Sequence, residues 1–386
     1  MESINRGNFW LKLKLARTNA SLGGKPITAL APMADVTDAA FRRIIAKYSK
    51  YGGAEIFDRQ GKFTRLSFAS QNLGGPDVMF TEFVSADGLC HPEGRQKLLT
   101  DLSYSEAERP IVAQLFTAHP EKMRQAAALV RQLGFDGLDI NMGCPDRAVE
   151  KQGCGAALMK NSKLARELIK AAREGAGGGL PVSVKTRIGY NKNELATWLP
   201  ELFAEEPAAV TIHARTRNEM SNAPARWEAV GEAVALRDRL GSRALILGNG
   251  DVAGLADAEE KIRQTGCDGA MLGRAIFGNP ELFSNSRELE NSSEREIAER
   301  KLRILIEHAR FFDELFRGVK NFSIMKKHFK AYASGFEGAK ELRLRLMKTQ
   351  SAAEAEAELK RAINAFQANG LHKARYILHS LVSPKQ

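Results

Sequence analysis

The chain has 386 residues, 44% of them hydrophobic and 27% charged, which excludes a disordered polymer and fits a folded, water-soluble protein. No apolar run approaches the roughly 18 residues a membrane helix needs, and "NFWLKLKLA" near the start is broken by lysines and lacks a small-residue cleavage site, so the cytoplasm is the expected compartment. The net charge of +11 suits a polyanionic partner as well as a basic enzyme with none, and Cys90, Cys144, Cys154 and Cys267, scattered without CxxC pairs, argue against a zinc site and a disulfide framework alike.

From Ile27 to Ile276 the chain passes repeatedly from an apolar, β-branched run to an amphipathic helical one. The strand candidates are "ITALAPM" (27–33), "VMFTEF" (78–83), "IVAQLF" (111–116), "GLDINMG" (137–143), "PVSVKTRI" (181–188), "AVTIHAR" (209–215), "ALILGNGDV" (244–252) and "GAMLGRAI" (269–276). Most are apolar throughout rather than alternating, as parallel strands covered on both faces are. Helical runs fill the gaps at 121–134, 162–175 and 227–240, with Ser162 expected as an N-cap and Gly134 and Gly175 at helix ends. Eight such units in about 250 residues predict an α/β fold of the (β/α)8 TIM-barrel type. A doubly wound sheet fits less well, because the first strand is not followed by GxGxxG.

Two segments leave this rhythm. Residues 51–75 carry glycine pairs at both ends and are too long for an ordinary connection, so they read as an insertion. From about Glu294 the chain is helical by period and poor in strands, which predicts a smaller C-terminal all-α domain over 294–386 after a barrel domain over 1–286. In that tail Lys320, Lys326, Lys327, Lys330, Lys340, Arg343, Arg345 and Lys348 are opposed only by Glu337 and Glu341, and Phe322, Phe329, Tyr332 and Phe336 lie among them. Such a mixture suits phosphate contacts with base or sugar packing; it also suits a solvated face whose aromatics form a small core.

Catalytic groups of a barrel collect at the carboxyl ends of its strands. Those ends supply Pro32, Met33, Glu82, Gln114, Asn141, Cys144, Lys185, Arg187, His213, Arg215, Asn249 to Asp251, Gly273 and Arg274. "GNGD" (248–251) and "GRAIFGNP" (273–280) place glycines after the last two strands, where backbone N–H groups and Arg274 can hold a phosphate. "DINMGCPDRAVEKQGCGAALM" (139–159) sets one cysteine between glycine and proline and a second between two glycines, chemistry that a core strand does not require.

Together, "ALAPMADVTDAAFR" (29–42), "TEFVSADGL" (81–89), "AQLF" (113–116), "DINMGCP" (139–145), "VSVKTRIG" (182–189), "TIHARTR" (211–217), "GNGDV" (248–252) and "MLGRAIFGNP" (271–280) resemble the tRNA-dihydrouridine synthases. The resemblance implies an FMN-binding barrel, NADPH as reductant, a helical RNA-binding domain and tRNA as partner, with a monomer favoured. By motif position it implies that Pro32 and Met33 lie along the flavin ring, that Gln114 bonds its pyrimidine edge and that Lys185 offsets negative charge on it. It further implies that His213 packs nearby while Asn249, Gly250, Gly273 and Arg274 hold the phosphate. Asn141 and Arg187 would face the substrate, Arg215 an RNA phosphate or the base, and Lys326, Lys327, Lys330, Arg343 and Arg345 the RNA. No metal is implied.

Reducing the C5=C6 bond of uridine needs a hydride at C6 and a proton at C5, and a thiol with an ordinary pKa of about 8.5 is still protonated at neutral pH. Cys144 is the expected acid. Cys154 falls where the family has a small residue and is expected to pack, and Cys90 and Cys267 read as small buried hydrophobes. The 51–75 insertion and Thr117 after "AQLF" depart from the family pattern, and a further excursion at 16–24 would sit at the barrel floor. A flavin barrel acting on a small free pyrimidine or enone, and an RNA-binding protein on a relict barrel, are the alternatives; the basic tail argues against the first, and the intact Cys144 and phosphate glycines against the second.

Overall fold

The computed structural model describes residues 8–18, 26–54, 74–284 and 292–366. Most of the 51–75 insertion, part of the 16–24 excursion and the last residues of the tail therefore lie outside the described residues. The chain divides into two compact units, residues 1–276 with 281–284, and 277–280 with 285–386.

In the first unit the eight predicted strands all form: β1 (Ile27–Leu30), β2 (Met79–Ser85), β3 (Ile111–Phe116), β4 (Gly137–Met142), β5 (Val182–Arg187), β6 (Ala209–His213), β7 (Leu245–Asn249) and β8 (Gly269–Leu272). They pair in parallel in the order β1-β8-β7-β6-β5-β4-β3-β2. A parallel bridge between Ala29 and Val78, with Leu30 N donating to Val78 O at 2.9 Å, brings β1 to the start of β2 and closes the sheet. This is the expected (β/α)8 barrel. The sequence runs overshoot the carboxyl ends of β1, β6, β7 and β8 by two to four residues, because the apolar pattern continues past the last ladder bond into the loops.

Two expected helix boundaries are corrected. The helix Ser162–Ala176 is capped by Asn161, whose side chain accepts from Leu164 N, and ends at Gly177. Gly175 lies inside that helix, where a Cβ would stand 2.1 Å from the carbonyl oxygen of Arg124. The glycine there permits close packing against the helix Pro120–Gln132 and does not end anything.

The barrel interior is layered. Phe9 and Trp10, from the helix Phe9–Thr18, pack with Ile27, Val112, Ala209, Leu245 and Met271 in one apolar cluster. Burying an aromatic side chain of this size contributes about 1.5–3 kcal/mol, so this helix is a plug rather than an appendage. Further along the strands the inward positions turn polar: Asp139 and Asn141 on β4, Ser183, Lys185 and Arg187 on β5, His213 on β6 and Asn249 on β7.

The second unit is helical: Glu294–Phe316, Met325–Tyr332, Ala339–Leu346 and helical residues 352–366. Ser293 and Glu296 form a reciprocal capping box at its first helix. Phe312, Phe316, Phe329, Tyr332, Leu342 and Leu346 are buried in its core. Base or sugar packing on Phe329 and Tyr332 is thereby corrected: these rings are interior.

Candidate active site

At the carboxyl ends of the strands lies a cavity of about 310 Å³. Its wall contains Pro32, Met33, Lys185, Arg187, His213, Arg215, Asn249, Gly250, Asp251, Gly273 and Arg274, so eleven residues singled out in the sequence meet around one space. Ala31, Val252 and Met271 add apolar surface, and Pro145 brings the loop after β4 to the edge.

Lys185 stands half-buried in this wall, and no residue among those described hydrogen-bonds to its ammonium. Burial, with the like charge of Arg187, lowers its pKa to about 8 against the smaller opposing pull of Asp139. It remains charged at neutral pH. A cation so placed favours an anionic or electron-rich group in the cavity.

His213 is neutral: burial and then the charges of Lys185, Arg187, Arg215 and Arg274 drive its pKa far below 6.5. Arg215 Nη1 lies 3.2 Å from His213 Nε2. A guanidinium only donates, so Nε2 accepts and the ring proton sits on Nδ1.

Arg215 is held on three sides. It is 2% exposed, its Nε donates to Ala223 O at 2.5 Å, and its Nη2 pairs with Asp251. Every arm of the guanidinium has a partner within the barrel, so it orients His213 and the 223–225 loop. Asp251 also accepts from Arg274 Nη2 at 2.6 Å and from Ala225 N at 2.9 Å. Two guanidiniums around one carboxylate leave this corner net positive. Gly250, at φ +116°, is where β7 turns away; a Cβ there would lie 3.0 Å from the His213 ring.

Gln114 and Asn141 stand behind the cavity. Gln114 is fully buried; its Nε2 donates to Asp139 Oδ2 at 2.7 Å and its Oε1 accepts from Asn141 Nδ2 at 3.0 Å. Asn141 Oδ1 accepts from Gly143 N at 3.1 Å and Cys144 N at 2.9 Å. These two amides thus join Asp139 to the loop that carries Cys144. Arg187 serves the same loop, its Nε donating to Gly143 O at 2.8 Å and its Nη1 to Thr216 O and Met220 O at 3.1 Å.

Cys144 is half-buried in the loop next to Pro145, close enough to Lys185 and Arg187 to feel both charges. Burial nevertheless raises its pKa above 9, so the thiol keeps its proton at neutral pH. The neighbouring loop explains the second cysteine. Ala156 N donates to Cys144 O at 2.9 Å, and at Gly155, with φ +60°, a Cβ would come 2.7 Å from that same oxygen. Cys154 is buried, with a pKa raised to about 11 by burial, and it packs as expected. Cys267 is buried too, whereas Cys90 is only partly so, its Sγ 3.6 Å from Lys122 O.

In the helical unit Lys327 and Lys330 are exposed and Lys326 is half-buried. Arg343 is drawn inward, donating to Ala333 O at 2.6 Å, and Arg345 pairs with Glu358 at 2.9 Å. Sequence reading missed Asp139, the carboxylate that organises the amides, and named Asp251 only as a strand-end residue; motif position alone gave no sign of the partners of either.

The dihydrouridine synthase (Dus) family model matches residues 29–368. A probable tRNA-dihydrouridine synthase of Staphylococcus aureus (strain COL) is 36% identical over 354 residues, covering 91% of this chain and 94% of its own. Probable tRNA-dihydrouridine synthase 2 of Bacillus subtilis (strain 168) is 37% identical over 354 residues, covering 91% and 95%. Among solved structures, histamine dehydrogenase from Rhizobium sp. 4-9 aligns over 74% of this chain and 48% of its own at 14% identity and a TM-score of 0.42, too slight a likeness to carry any argument. With a family match across most of its length and relatives covered almost end to end, the chain belongs to the dihydrouridine synthase family.

Proposed function

We propose that this chain reduces the C5=C6 bond of a uridine in tRNA to 5,6-dihydrouridine, with FMN held at the barrel mouth and NADPH as reductant. The observation that carries the reading is an ammonium, Lys185, with no hydrogen-bond partner among the described residues, in the wall of a cavity edged by Pro145, whose neighbour Cys144 keeps its thiol protonated. The residues fit a flavin mononucleotide: Pro32, Met33 and Val252 offer apolar surface for a ring, Lys185 a charge for its electron-rich edge, and Gly250, Gly273 and Arg274 a positive corner for a phosphate. When bound, the flavin supplies the hydride that C6 receives.

The rest of the chemistry belongs to the chain's own groups. Cys144 Sγ gives its proton to C5, so one hydride and one proton saturate the double bond and a thiolate remains. Lys185 and Arg187 counter that charge until solvent returns the proton. Neutral His213 holds an N–H at Nδ1 without adding charge, and Arg215 keeps the ring in that tautomer. Extruding the target uridine from its stack costs a few kcal/mol. Exposed Lys327 and Lys330, with Lys326, offset this by binding phosphates.

Incubating tRNA transcript with the purified protein, FMN and NADPH and mapping mass gain by nuclease digestion tests the reading. A gain of two daltons at one uridine is expected. No gain on tRNA, together with rapid NADPH oxidation by a small enone, would reject it.

A further inference from the structure

We infer that Asp139 is a positioning residue that fixes the polarity of two side-chain amides in series and, through them, the loop presenting Cys144. Asp139 and Gln114 have no solvent exposure, Asn141 has 6%, and neither Asp139 nor Gln114 reaches the cavity. Burying a carboxylate is costly unless its oxygens are satisfied, and here they are: Ser183 Oγ donates to Oδ1 at 2.6 Å and Gln114 Nε2 to Oδ2 at 2.7 Å.

The placement follows from register. Gln114 on β3 pairs with Asp139 on β4, Asp139 pairs with Ser183 on β5, and Asn141 lies two residues on from Asp139, on the same face of its strand. A side-chain amide by itself can turn either way. An ionised carboxylate can only accept, so Gln114 must direct Nε2 at it and Oε1 at Asn141. Asn141 must then donate through Nδ2, which leaves Oδ1 facing Gly143 N and Cys144 N. Those backbone groups can only donate. The order is thus dictated from both ends and agrees in the middle, and turning either amide would set oxygen against oxygen or N–H against N–H.

One oxygen gripping two successive N–H groups defines the turn after β4, and so where the Cys144 side chain leaves the backbone. The relay belongs to the loop whatever the loop does; its effect on turnover rests on the reading of Cys144 as proton donor.

Reversing the order chemically tests the inference. D139N replaces the carboxylate with a group that can donate toward Gln114, and Q114E sets a second carboxylate against the first. In D139N/Q114E the new amide donates to the new carboxylate, which still accepts from Asn141, and Ser183 still has its acceptor. Hydrogen exchange at the Gly143 and Cys144 amides of the purified full-length protein should quicken about tenfold in each single variant and return to the wild-type rate in the double. Dihydrouridine formation should fall about tenfold in each single variant and recover in the double.

Wild-type exchange in D139N, or a double variant no better than the worse single, overturns the relay. If either single variant fails to fold, the double must still fold with protected amides at 143 and 144; unprotected amides there overturn it equally. Exchange that follows the relay while turnover ignores it would leave the relay standing and remove Cys144 from its role.

Discussion

The two ends of the same eight strands make an instructive contrast. At the amino end Phe9 and Trp10 close the barrel over Ile27, Val112 and Leu245 with almost no polar atoms. At the carboxyl end Lys185, Arg187, His213, Arg215 and Asp251 crowd one small cavity. The first arrangement stabilises the fold. The second costs stability, since charges and an imidazole are held away from water, and it persists because most of those groups are hydrogen-bonded to one another or to loop carbonyls. Among the described residues Lys185 is left without such a partner, which is why it points to a ligand.

This contrast can be broken most forcefully at the floor. W10A should remove about 3–5 kcal/mol from the unfolding free energy, read by urea titration, while the flavin affinity of the folded fraction stays at the wild-type value. A matching loss of flavin affinity would mean that floor and mouth are not separable.

At the mouth the opposite outcome is expected. K185M should weaken flavin binding by about ten- to a hundredfold, measured by fluorescence quenching, while leaving urea stability equal or raised because a buried cation has been removed. Loss of stability without loss of flavin would reassign Lys185 to the core.

The pH dependence is a finer version of the same test. Lys185 has a pKa of about 8 in the folded chain, below the 10.5 of a free lysine. Between these values the unfolded chain binds the additional proton, so this residue's contribution to stability improves as pH rises from 8 toward 10.5. Flavin affinity should move the other way and fall severalfold as pH passes about 8 and the charge is lost. The difference between wild type and K185M isolates this group, and affinity that is flat with pH would contradict its role.

How much was legible in the sequence follows the same division. Unbroken apolar runs such as "IVAQLF" revealed the strands, because parallel strands buried on both faces tolerate little else. Their ends were less legible: Ala214 and Arg215 continue the pattern of β6 but already belong to the loop. At the site, residue type and position located the members, and eleven of them do share the cavity wall. Their partnerships were not readable. Nothing in the sequence pairs Arg215 with Asp251, 36 residues later. Nothing in it sets Gln114 between Asp139 and Asn141. The tail shows the same limit, since its charges were visible but the burial of Phe329 and Tyr332 among them was not.

The most direct test is a single anaerobic turnover, with the flavin first reduced by NADPH and then mixed with tRNA, followed by flavin absorbance and by the mass of the RNA. Wild type should re-oxidise its flavin as two daltons appear in one uridine. C144A should bind and reduce flavin normally yet pass its hydride to tRNA about a hundredfold or more slowly; a C144A variant as fast as wild type would contradict the assignment of the proton donor.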